Sequence, residues 1–169
     1  VRIASKEYMK TSHANYTTPY QTPVSTLDIV HDNITFAVMS AGTAGGEIVR
    51  FGSIGENYLP GMLVQLRNGS WYGADADATS FQGSMLGIAL GSNPNVHGVL
   101  IRGFAALNSN ADNITTWTVG SPVYVSSTTG AITETAPSST NQFVRVVGYM
   151  AETTNLIYFN PDGTFIKIA

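Results

Sequence analysis

The chain has 169 residues, a formal net charge of −3, and only 11 % charged residues against 43 % hydrophobic ones. That composition supports one core and lacks the high charge of a disordered chain. With a pI near 5.5 it also lacks the Lys/Arg field that neutralises nucleic-acid phosphates. Cysteine is absent, which removes disulfides, thiolate metal sites and cysteine nucleophiles. No apolar run approaches the ~18 residues that read as a membrane-spanning helix.

Residues 1–27 read as an extended arm in front of a domain of residues 28–169. The arm begins Val1-Arg2-Ile3-Ala4-Ser5, with no apolar stretch of signal-peptide length. It carries Arg2, Lys6 and Lys10, three of the eight basic residues. Pro19 and Pro23 bias Thr18 and Thr22 toward extended backbone. Its apolar residues are too sparse to bury a face. The expectation is an arm lying against another subunit, with folding back on its own domain as the alternative.

From Asp28 the grain changes. Ile34-Thr35-Phe36-Ala37-Val38-Met39 has the β-branched and aromatic content of a strand, and the Gly-rich residues 41–46 read as a loop. Short apolar runs separated by turn residues then follow to the end: Glu47-Ile48-Val49-Arg50-Phe51, Met62-Leu63-Val64-Gln65-Leu66, Ser70-Trp71-Tyr72, Leu86-Gly87-Ile88-Ala89-Leu90, Val99-Leu100-Ile101-Arg102-Gly103-Phe104, Pro122-Val123-Tyr124-Val125, Phe143-Val144-Arg145-Val146-Val147-Gly148-Tyr149, Leu156-Ile157-Tyr158-Phe159 and Thr164-Phe165-Ile166-Lys167-Ile168. Asn68-Gly69 and Asp162-Gly163 are two-residue hairpin signals. No window holds an apolar face at helical spacing. The expected class is all-β, a small barrel or sandwich with an extended N-terminal arm.

Two stretches echo each other, at about 61–90 and 120–150. In each, a Gly enters a strand, a Gly-containing turn reverses it, and a polar connection leads to a return strand interrupted by Gly87 or Gly148. A glycine inside a strand marks a bulge, a bend or a close backbone approach. The echo reads as a repeated hairpin.

Little here points to catalysis. Nucleophile elbow, Walker loop, zinc motif and dinucleotide fingerprint are all missing from the sequence. The Gly-rich residues 42–46 lack the Lys-Ser/Thr ending of a phosphate loop. His13, His31 and His97 are not spaced as ligand pairs, and His31-Asp32 reads as a loop dipeptide rather than half of a triad. Asp75-Ala76-Asp77 is the most site-like acidic feature, because hard cations want clustered oxygens. Its Gly, Ala, Thr and Ser flanks favour two solvated loop carboxylates instead. Trp71-Tyr72 and Trp117 could stack on sugar rings, although tryptophans on short strands are more often core anchors. Asn-x-Ser/Thr sequons stand at Asn15, Asn33, Asn68 and Asn113, a frequency that a Ser/Thr-rich chain reaches by chance. No catalytic residue, cofactor site or metal site is expected, and the chain reads as a non-enzyme.

Residues 60–169 carry a resemblance. Gly83-Ser84-Met85-Leu86-Gly87-Ile88-Ala89-Leu90-Gly91, Gly98-Val99-Leu100-Ile101-Arg102-Gly103-Phe104, Gly120-Ser121-Pro122-Val123-Tyr124-Val125-Ser126 with Thr129-Gly130-Ala131-Ile132-Thr133, and Val144-Arg145-Val146-Val147-Gly148-Tyr149 with Tyr158-Phe159-Asn160-Pro161-Asp162-Gly163-Thr164 resemble the β-domain of tailed-phage virion structural proteins. The capsid cement, or decoration, proteins are the most similar group. The resemblance implies a protein of the capsid exterior, a homo-oligomer and specifically a trimer, that binds the major capsid protein and stabilises the expanded head. It implies neither nucleic acid nor membrane as a partner. A tail or head-fibre adaptor is the alternative within the virion, and a carbohydrate-binding module the alternative outside it. Residues 1–59 match nothing in the resemblance. On this reading the arm is the clamp, with Arg2, Lys6 and Lys10 meeting an acidic patch and Tyr8, Tyr16 and Tyr20 as anchors, since aromatic residues and Arg concentrate at binding hot spots.

Overall fold

A computed structural model describes residues 40–77, 83–108 and 116–169. They lie in the second of two units into which the chain divides, Val38–Ala169. The expected arm and the strand expected at residues 34–39 lie outside the described residues. Those residues form twelve strands and no helix, so the protein is all-β there.

The strands are β1 (Ala44–Val49), β2 (Ser53–Ile54), β3 (Leu63–Arg67), β4 (Ser70–Gly73), β5 (Met85–Ala89), β6 (Val99–Ala106), β7 (Pro122–Val125), β8 (Ile132–Thr133), β9 (Phe143–Val144), β10 (Val146–Met150), β11 (Leu156–Phe159) and β12 (Ile166–Lys167). Ten of them share one sheet in the order β2-β4-β3-β5-β6-β11-β10-β7-β8, with β1 also paired to β6, while β9 and β12 form a separate pair. All pairings are antiparallel except β2 with β4.

The sheet forks at β6. Strand β1 follows one edge of β6 from Val99 to Ala105. Strand β5 pairs with Val99 and Leu100, and β11 with Gly103 to Ala106, so both take the other edge. Two branches therefore leave the same side of one strand, β5-β3-β4-β2 and β11-β10-β7-β8. Their inner faces supply one core, with Leu63, Leu86 and Ile88 from the first branch and Val123, Ile157 and Phe159 from the second. Burying each such side chain contributes about 1.5–3 kcal/mol.

Strand pairing does not close this sheet into a barrel. The branches are stitched by single backbone bonds instead. After β4, Ala74 O accepts from Gly130 N at 2.7 Å, Ala76 N donates to Ser126 O at 2.8 Å, and Ala76 O accepts from Phe143 N at 2.9 Å. Leu63 N donates to Gly130 O at 2.8 Å. The 74–76 segment thus runs beside the β7–β8 turn without forming a ladder.

Local chemistry explains the turns. Asn68 (φ 48°) and Gly69 (φ 77°) both occupy the left-handed region that a two-residue hairpin requires, and β3 and β4 pair across them. The Asp162-Gly163 signal does not make a hairpin. Asn160 N and Asp162 N donate to Val147 O and Val146 O, so the chain keeps following β10 past β11. Asp162 Oδ1 then accepts from Thr164 N at 2.9 Å, and β12 pairs with β9. Residues 44–46, expected in a loop, begin β1 instead. Gly46 lies opposite Gly103, and the absence of two Cβ atoms lets the strands approach there. The two echoing stretches have matching strand orders, β4-β3-β5 and β8-β7-β10.

Arg145 sits between β9 and β10, 7 % exposed. Its Nε donates to Asp162 O at 2.6 Å and one terminal nitrogen to Ser84 O at 2.8 Å. Burial lowers its pKa from the usual value, partly offset by the charge of Asp162. It tethers the segment before β5 to the turn after β11.

Candidate functional site

The two branches treat their outer faces differently. On the first, Val64, Trp71 and Ala89, with Val99 of β6 beside them, face away from the main core, yet all are fully buried. Residues 51–58 cover them. The Phe51 ring lies 5.8 Å from that of Trp71, Phe51 O accepts from Trp71 Nε1 at 2.8 Å, and Tyr58 packs into the same cluster.

On the second branch, alternation sends Val123, Met150, Ile157 and Phe159 inward and leaves Pro122, Tyr124, Tyr149 and Tyr158 outward. Register then aligns the outward residues. Phe104 on β6 faces Tyr158 on β11, Tyr158 faces Tyr149 on β10, and Tyr149 faces Pro122 on β7. Gly45 on β1 continues the row beyond Phe104, with nothing within 4 Å of where a Cβ would stand. The Phe104 and Tyr158 rings lie 5.1 Å apart, tilted at 48°. Tyr149 is 46 % exposed, and Tyr158, Pro122 and Tyr124 are half-buried.

An antiparallel sheet with one solvated face usually puts polar residues outside. Here the outward positions of β7, β10 and β11 are aromatic or apolar and uncharged. Charge enters at one flank, where exposed Glu47 on β1 lies opposite exposed Arg102 on β6. Such a row can stack on a flat apolar ligand while its tyrosine hydroxyls hydrogen-bond.

The residues weighed from the sequence fall elsewhere. Arg2, Lys6, Tyr8, Lys10, Tyr16 and Tyr20 lie outside the described residues, as do His13, His31, Asn15, Asn33 and Asn113. Trp71 and Trp117 are 0 % and 6 % exposed, so they are core anchors and no sugar platform. Tyr72 lies under the Arg67 guanidinium, 3.9 Å from its ring centre. Both Asp75 oxygens serve the local fold: Oδ1 accepts from Asp77 N at 2.8 Å and Oδ2 from the Thr129 hydroxyl at 3.0 Å. Among the described residues, no group of three or more His, Asp or Glu could hold a metal ion. His97 Nδ1 accepts from Asn93 N at 3.3 Å within an exposed turn. The cavity beside Trp117, lined by Gly61, Leu63, Leu107, Gly130 and Ile132, has room for about one water.

The aromatic row escaped the sequence reading, because its members come from four separate segments and only register unites them. A signal was present: Tyr149 and Tyr158 alternate with inward-facing Met150 and Phe159. No family model, curated protein or solved structure matches the chain.

Proposed function

We propose that the chain is a capsid cement protein of a tailed phage, a homotrimer that binds between major capsid subunits on the head exterior and acts by binding rather than catalysis. The observation that carries this reading is where the resembling motifs fall. Pro122-Val123-Tyr124-Val125 forms β7, Val146-Val147-Gly148-Tyr149 lies in β10, and the two strands are antiparallel neighbours. Two of the stretches that resemble the phage β-domain thus lie side by side in the sheet, which supports reading them together.

On this reading residues 1–27 clamp the shell through Arg2, Lys6 and Lys10, with Tyr8, Tyr16 and Tyr20 as anchors. The effect on the head is linkage: a ligand that binds only the expanded shell stabilises it, by about 2.7 kcal/mol per site at a hundredfold excess over Kd. Deleting residues 1–26 tests the clamp. The truncated protein is expected to keep the β-rich circular dichroism of the full chain and to lose co-sedimentation with expanded heads. Undiminished decoration by the truncated protein would refute it.

A further inference from the structure

We propose that the row Tyr158–Tyr149–Pro122, with Phe104 stacked behind Tyr158, is a binding strip for a neutral glycan chain. The inference rests on the reading of the chain as a binding module, and it does not need the module to sit on a capsid.

Geometry supplies the first argument. The row crosses β6, β11, β10 and β7 in register, three strand gaps, or about 14 Å at about 4.8 Å per gap. That is a linear strip suited to successive rings of an extended chain. Phe104 holds one side of the Tyr158 ring, while Tyr149 is the most open member.

Chemistry supplies the second. A pyranose has an apolar C–H face and a rim of hydroxyls. Aromatic rings meet the first, and tyrosine hydroxyls, as donors and acceptors, meet the second. The outward positions of β7, β10 and β11 carry no charge, and the chain is net negative. Nucleic acids and acidic polysaccharides would find no counter-charge on β7, β10 or β11, and the one cation at the flank, Arg102, stands opposite Glu47.

Size supplies the third. Four strands by one or two residues amount to an area on the order of 200 Å², whereas a stable protein interface takes about 800 Å² per partner. The strip is too small to hold a protein by itself, and large enough for a few sugar rings.

The test uses the full chain, titrated calorimetrically with cellopentaose, maltopentaose and laminaripentaose as neutral probes. Saturable binding of at least one probe is expected, weakened at least tenfold by Tyr149→Ala and by Tyr158→Ala, retained by Tyr149→Trp, and unchanged by Val96→Ala on a distant exposed turn. Absence of binding to all three probes by the folded wild-type chain would overturn the proposal, as would binding indifferent to both tyrosine substitutions. Decoration of phage heads by the same variants separates this proposal from the cement reading. If the wild type binds no probe and Tyr149→Ala abolishes decoration, the strip belongs to the shell contact and the glycan assignment falls. If Tyr149→Ala loses the glycan but still decorates heads, both readings stand.

Discussion

Tyr58 shows how a single atom carries a measurable consequence. It is 3 % exposed, and its hydroxyl has no hydrogen-bond partner among the described residues. A buried hydroxyl without a partner costs stability, and removing it costs little or nothing. Tyr58→Phe is therefore expected to leave the unfolding free energy unchanged or to raise it by up to about 1 kcal/mol, read from urea denaturation. Burial also raises the Tyr58 pKa above its ordinary value of 10.0. Above pH 10 the unfolded chain releases that proton while the folded chain retains it, so the native state binds more protons and stability falls as pH climbs. Below pH 10 the contribution is constant. Tyr58→Phe should flatten this alkaline decline, and a decline as steep in the variant as in the wild type would contradict the assignment.

The elements show which parts of the fold were legible and which were not. The run of short strands and the Asn68-Gly69 hairpin could be read directly, because backbone sterics at φ > 0 make that dipeptide a turn wherever apolar strands flank it. Asp162-Gly163 misled because Asn160 and Asp162 are claimed by carbonyls of β10, a tertiary demand that overrides local turn preference. The start of β1 misled for the opposite reason. Gly45 and Gly46 look like loop residues, yet Gly46 pairs with Gly103 where a Cβ on either would run into the facing strand. Gly103 has φ +134°, and a Cβ there would come within 2.8 Å of Gly46 Cα. Gly103→Ala is expected to cost about 2–3 kcal/mol or more through strain and forced separation of β1 from β6. Gly163→Ala, with nothing within 4 Å of its Cβ position, should lie within about 0.5 kcal/mol of wild type. Equal thermal stability of the two variants would refute the close-approach account of β1.

At the scale of the whole molecule, the all-β class was legible and the fork at β6 was not. Class follows from strand-length apolar runs, whereas the fork follows from which edge of β6 each neighbour takes, a long-range choice with no local signature. The same holds for the aromatic row, whose members share a face only after three registers are set. The expected anchors Trp71 and Trp117 went inside for a physical reason: large apolar rings gain most from full burial. The tyrosines of β10 and β11 face outward because Met150, Ile157 and Phe159 fill the inward positions beside them. The described residues make a stitched β body with one covered outer face and one aromatic one, and the sequence of residues 1–27 carries three of the eight basic residues. On the proposed reading, these features belong to a component that holds larger assemblies together. The abundance of the chain in purified virions, measured against the major capsid protein by quantitative mass spectrometry, tests that account most directly. A copy number comparable to that of the major capsid protein is the result expected of a cement. A few copies per particle, or absence from the particle, would contradict it.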